Sequence, residues 1–224
     1  MKTLTKFELS LWLTSIVVVT ASFVFSGNSL LSIITSIIGV TALIFVAKGL
    51  VLGQVLTVVF AVFYGIVSYK NQYYGEMITY LCMTAPIAFL SVISWLKNPY
   101  KNTKVVKVSK VTKKQLILMS TLAIFVTLIF FFILKRLNNA SLLFSTISIT
   151  TSFIASYLTF LRSPYYAIGY AANDVILIIL WVIASVTDIQ YFPMVTCFIM
   201  FLINDLYGFI NWKRIQKEQN KSDR

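Results

Sequence analysis

The sequence predicts an all-α integral membrane protein of about eight membrane-spanning helices, with both ends on the cytoplasmic side. Three observations carry this. Of 224 residues, 58% are hydrophobic and only 12% charged, whereas a soluble domain carries about 25% charged residues. The mean hydropathy is +0.86. Apolar runs recur from end to end at the length of about 20 residues that a helix needs to cross the hydrocarbon core.

Taken in order, the runs are Phe7–Phe25, Leu30–Ala47, Val51–Tyr69, Gly75–Trp95, Gln115–Leu134, Leu142–Leu161, Tyr165–Val186 and Phe192–Trp212. The first is the weakest, since Glu8 sits at its edge and the segment could instead lie along the interface. Orientation follows from the basic residues, which concentrate in cytoplasmic loops. With the N-terminus inside, 16 of the 19 Lys and Arg fall on the inner side, seven of them between Lys97 and Lys114. Only Lys70, Lys135 and Arg136 fall outside. The net charge of +12 therefore reads as an orientation signal, not as a nucleic-acid surface. The Lys-rich linker Asn98–Lys114 is also placed to meet anionic lipid or a cytosolic partner.

Several chemistries are excluded. There is no histidine, which removes the commonest metal ligand and general base. Cys82 and Cys197 both lie inside apolar runs and form no metal or disulfide framework. No phosphate-cradling loop, zinc-protease helix or nucleophile elbow occurs. No enzyme activity, metal or cofactor is expected; the chain reads as a carrier without an ATPase of its own.

Two stretches read as copies. Residues 30–97 and 142–214 each contain three spans, with a basic break after the first and a Trp followed by basic residues at the end of the third. An offset of 117 places Met77 on Met194, Thr79 on Thr196 and Trp95 on Trp212; an offset of 114 places Lys48 on Arg162. This divides the chain into an N-terminal helix (1–29), a first three-helix repeat (30–97), a basic linker with a linking helix (98–141), a second repeat (142–214) and a tail (215–224). Parallel repeats are a transporter architecture, with substrate held between them near the midplane.

Polar groups at membrane depth mark function by default. Tyr166, Tyr170, Asn173, Leu177 and Trp181 recur at helical spacing and share a face that Asp174 borders. Asp174 lies about halfway across, at 1.5 Å per residue. Rings, an amide and a carboxylate on one face suit a flat, cationic, hydroxyl-bearing solute. In the last span Asn204, Asp205 and Asn211 are further candidates, while Trp212 reads as an interfacial anchor. Tyr80 and Gln54 are candidates from the first copy, as are Tyr64, Ser68 and Glu76, the last at the outer boundary. Gly65 and Pro86 point to close packing or a kink. A carboxylate inside the membrane admits proton coupling as well as passive flow.

The run Gly75-Glu76-Met77, the Trp95-Leu96-Lys97-Asn98 span end, the stretch Arg162-Ser163-Pro164-Tyr165-Tyr166 with Ala172-Asn173-Asp174, and Asn204-Asp205-Leu206-Tyr207-Gly208 with Asn211-Trp212-Lys213 resemble the PnuC-type nicotinamide riboside transporter family over nearly the whole chain. The resemblance implies a SWEET-like 3+1+3 helix bundle with an extra N-terminal helix, assembled as a homotrimer in a bacterial inner membrane. It implies facilitated diffusion of nicotinamide riboside, a pyridinium cation bearing a ribose, for NAD synthesis. One feature departs from the family: where many members carry a Trp-x-x-Trp pair, this chain has Ala167 and Tyr170. Thiamine, riboflavin and deoxynucleosides thus remain alternative solutes, and a non-catalytic membrane subunit an alternative role.

Overall fold

The computed structural model describes residues 4–26, 29–70, 74–139 and 141–223. Among these, eight helices are long and apolar enough to cross a membrane. They are α1 (Lys6–Phe25), α2 (Leu30–Ala47), α3 (Val51–Lys70), α4 (Tyr74–Leu96), α5 (Lys113–Arg136), α6 (Leu142–Phe160), α7 (Tyr166–Thr187) and α8 (Phe192–Ser222). Each expected span is a helix. The largest difference is α8, which continues for ten residues past Trp212.

Local chemistry sets the boundaries. Thr5 with Glu8 and Thr112 with Gln115 form capping boxes that satisfy the free N–H groups at the starts of α1 and α5. Pro86, which has no N–H to give the preceding turn, follows a π-helical turn over Tyr80–Thr84 that widens α4. Gly65 lets Leu81 pack against the α3 backbone, since a Cβ there would lie 2.6 Å from Leu81 Cγ.

Six helices form a closed ring in which α2 packs on α3, α3 on α4, α4 on α6, α6 on α7, α7 on α8 and α8 back on α2. Helix α5 lies outside against α6, where Thr127 and Thr150 share a hydroxyl bond of 2.7 Å. Helix α1 lies outside against α2 and α8. It runs alongside them for its whole length: Glu8 meets Lys48 and Tyr207 at one end, Trp12 donates to Thr41, Asn204 donates to Ser15, and Ser22 donates to Thr196 near the other.

Glu8 is 2% exposed, and its carboxylate accepts from Lys48 Nζ at 2.8 Å, Tyr207 Oη at 2.8 Å and the Thr5 N–H at 2.6 Å. Removing one member of a buried pair leaves the other unpaired, so Glu8→Ala is expected to cost about 3 kcal/mol, and a Glu8→Gln/Lys48→Met double variant much less. Thermal unfolding in detergent reads both; equal losses would contradict this.

The turns after α2 and α6 are built alike. Gly49 and Arg162 take positive φ, 67° and 59°. Bonds Lys48 N–H to Ile44, Gly49 N–H to Val46 and Leu50 N–H to Phe45 recur as Leu161 to Tyr157, Arg162 to Thr159 and Ser163 to Leu158. Their offset is 113, not the 114 that aligned Lys48 with Arg162. The position fixed by geometry is the left-handed residue that closes each helix, and Gly and Arg share no side-chain chemistry that would reveal it.

The linker between α4 and α5 folds onto the bundle. Val106 N–H donates to Gly49 O, Lys107 N–H to Asn98 O, and Ser109 N–H to Arg162 O. The extended end of α8 holds it from below: Gln219 accepts from the Val108 N–H and donates to Val106 O, and Tyr100 Oη donates to Gln219 O. The start of α1, the end of α8 and the linker thus lie at one end of the bundle, the linker end.

Candidate functional site

A cavity of about 60 Å³ lies within the ring, and every ring helix lines it. Helix α2 contributes Gly39, Ala42, Leu43 and Val46; α3 contributes Gln54, Thr57 and Phe60; α4 contributes Tyr80 and Thr84 at its π-turn. Helix α6 contributes Ser152, α7 contributes Tyr166, Tyr170, Asn173 and Asp174, and α8 contributes Phe198, Phe201 and Asp205. Ligand pockets for drug-sized molecules have volumes of about 300 Å³ or more, so this is a closed form that must widen to hold a solute of that size.

The helical spacing of α7 explains its share. Tyr166, Tyr170 and Asn173 stand on consecutive turns, and Asp174 sits beside them; Tyr170 is partly buried and the other three are buried. Two of the four are held from behind. Tyr170 Oη pairs with Ser156 Oγ at 2.9 Å. Asn173 Oδ1 accepts from Ser148 at 3.0 Å and Thr151 at 2.9 Å. With its oxygen taken by α6, Asn173 leaves its amide N–H groups to the cavity it lines.

Asp174 and Asp205 face each other closely enough to interact, and among the described residues no Lys or Arg lines the cavity. Oδ2 of Asp174 and Oγ1 of Thr84 are buried with no hydrogen-bond partner among the described residues. Buried polar groups without partners are costly, so these atoms are poised to bond a polar solute. Aromatic rings line the cavity with the carboxylates: Phe60 packs within 5.9 Å of Tyr80 and 5.7 Å of Phe201.

Seven of the twelve sequence candidates therefore meet at one cavity: Gln54, Tyr80, Tyr166, Tyr170, Asn173, Asp174 and Asp205. Tyr64, Ser68, Glu76, Asn204 and Asn211 do not line it. Asn204, about 100° around the helix from Asp205, turns to α1 and donates to Ser15 Oγ and Met200 O. Asn211 donates to Ala47 O at the end of α2. Trp212 is no interfacial anchor; it is 0% exposed, and its indole donates to Val46 O at 2.8 Å. Glu76 is buried in the upper part of α4 and does not line the cavity.

Residues the sequence did not single out are Thr57, Thr84, Ser152 and the three phenylalanines Phe60, Phe198 and Phe201. Thr57 stands one turn after Gln54, a polar pair that spacing alone could have flagged.

The floor of the cavity, toward the linker end, is an aromatic cluster. Trp95 and Trp212 lie 5.4 Å apart and Tyr166 lies 5.0 Å from Trp212. Ala167, fully buried, packs in the same cluster, so the position of the missing Trp is filled by the floor.

Residues 29–214 match the nicotinamide mononucleotide transporter family. A nicotinamide riboside transporter PnuC of Neisseria mucosa is 27% identical over 203 residues, covering 88% of this chain and 77% of that one. That of Haemophilus influenzae is 24% identical, covering 89% and 86%. The crystal structure of a vitamin B3 transporter PnuC superposes with a TM-score of 0.84 at 25% identity, covering 98% of this chain and 95% of that chain. A closed ring of six helices around a cavity with two carboxylates, together with a match spanning α2 to α8, makes this chain a multi-pass membrane protein of the nicotinamide mononucleotide transporter family.

Proposed function

We propose that the chain carries nicotinamide riboside across a bacterial inner membrane by facilitated diffusion, supplying NAD synthesis. The observation that carries this reading is the cavity: two carboxylates without a basic partner, flanked by aromatic rings and by amide and hydroxyl groups. A pyridinium cation answers the carboxylates and rings, and a ribose answers Gln54, Thr57, Ser152 and Asn173. The names of the relatives point the same way. Gln54, Tyr80, Tyr166, Tyr170, Asn173, Asp174 and Asp205 are the binding residues in this reading; Asn204 and Asn211 support the helices that present them.

The same reading places the linker end in the cytoplasm, because 16 of the 19 basic residues sort there. It takes 30–97 and 142–214 as two parallel repeats of a SWEET-like bundle; the recurring 113-residue offset of their helix ends supports this. It also takes the chain to be a homotrimer with one path per subunit, which native mass analysis in detergent would test.

The test of the function is uptake of labelled nicotinamide riboside into liposomes holding the purified protein, with unlabelled thiamine, riboflavin and deoxyadenosine as competitors. Saturable uptake without ATP or a proton gradient, competed by nicotinamide riboside alone, is the expected result. Competition by one of the others instead would move the substrate and keep the carrier.

A further inference from the structure

Beneath the cavity each half of the ring clips the other. Trp95, at the end of α4, donates its indole N–H to Thr159 O at the end of α6, at 3.0 Å. Trp212, on α8, donates to Val46 O at the end of α2, at 2.8 Å. One residue away the pattern repeats: Ser94 Oγ donates to Phe160 O, and Asn211 Nδ2 donates to Ala47 O, both at 2.9 Å. The linker then claims the next matching pair of carbonyls, Val106 N–H on Gly49 O and Ser109 N–H on Arg162 O. Three carbonyls of one inner turn and their three counterparts in the other are thus each bonded by a group from elsewhere in the chain.

These bonds fix the floor itself. Val46 and Tyr166 line the cavity and pack in one cluster with Trp95, Trp212, Ala167 and Val106 of the linker. Trp95 and Trp212 are both 0% exposed, so this cluster packs tightly between the cavity and the linker.

We propose that this reciprocal clip is the inner gate of the transport path, that Trp95 and Trp212 are its moving parts, and that the linker, clamped by Gln219, is the bolt that holds it shut. The proposal rests on the reading above that the cavity is the path and the linker end is cytoplasmic. Opening separates α4 from α6 and α8 from α2. It frees backbone carbonyls that water can then satisfy, so the protein bonds favour the closed form by a modest factor and remain reversible. The two indoles are interchangeable in this scheme, whereas purely structural tryptophans would have no reason to act as a pair.

The test needs no substrate, so it stands apart from the identity of the solute. In a Cys82→Ser/Cys197→Ser background, Thr57→Cys places one thiol in the cavity. A membrane-impermeant maleimide is applied from the linker side and, separately, from the far side of oriented vesicles. Trp95→Phe and Trp212→Phe keep a ring and remove the N–H; Gln219→Ala unclamps the linker outside the bundle. Each is expected to raise labelling from the linker side about fivefold, the factor of one net hydrogen bond, and to lower labelling from the far side. Linker-side rates unchanged in all three would overturn the proposal. So would a rise from both sides together, which reports a loosened fold and not a gate.

Discussion

Asp174→Asn and Asp205→Asn are each expected to cut saturable nicotinamide riboside uptake by about 10- to 100-fold, the range that a lost charged hydrogen bond of about 1.5–3 kcal/mol gives. The two carboxylates line one cavity, and no described Lys or Arg lines it with them. A cationic solute is therefore their natural counter-charge, and an amide of equal size cannot replace it. The substitution keeps shape and removes a costly buried acid, so membrane insertion and thermal stability should hold or rise. Initial rates at equal protein in liposomes check this. Wild-type rates in both variants would remove the cavity from the path.

Gly53→Ala is expected to abolish the folded protein or lower its stability by about 3 kcal/mol, at the upper end of overpacking costs. Helices α2 and α3 approach so closely there that a Cβ would lie 2.4 Å from Val46 N and 2.8 Å from Phe45 C, backbone atoms that cannot swing aside. Relief would require α3 to move away from α2, and both line the cavity. Gly208→Ala is the matched control, because its nearest neighbour is the Tyr166 hydroxyl at 3.1 Å and the next lies at 3.7 Å. Thermal unfolding followed by size-exclusion chromatography separates the two; equal behaviour would contradict the close approach.

Much of the architecture was legible because the bilayer imposes a length. A run such as Leu30–Ala47 has one plausible use, and the observed helix matches it. Helix α7 was legible as a site for a similar reason: Tyr166, Tyr170, Asn173 and Asp174 stand out against apolar neighbours, and a 3.6-residue period says which of them share a face. The same logic misplaced Asn204. Asn204 and Asp205 are equally deep and equally polar, and only the position of α1 decides that the first meets Ser15 while the second faces the cavity.

Apolar lining is silent in a sequence of this kind. Phe60, Phe198 and Phe201 look like any lipid-facing phenylalanine, since hydrophobicity cannot tell a cavity wall from a bilayer contact. Trp212 was misread because tryptophan near the end of a span is commonly an interfacial anchor; its burial depends on Trp95, 117 residues earlier. The linker carried a visible charge pattern, but its backbone bonds to Gly49 and Arg162 leave no side-chain trace.

In the proposed function the six-helix ring binds nicotinamide riboside between Asp174 and Asp205. Calorimetric titration of the purified protein decides this, using the wild type and the Asp174→Asn/Asp205→Asn double variant. Saturable binding of nicotinamide riboside to the wild type, with deoxyadenosine giving no heat and the double variant giving no measurable binding, is the predicted result. Equal affinity of the double variant and the wild type for nicotinamide riboside would contradict it.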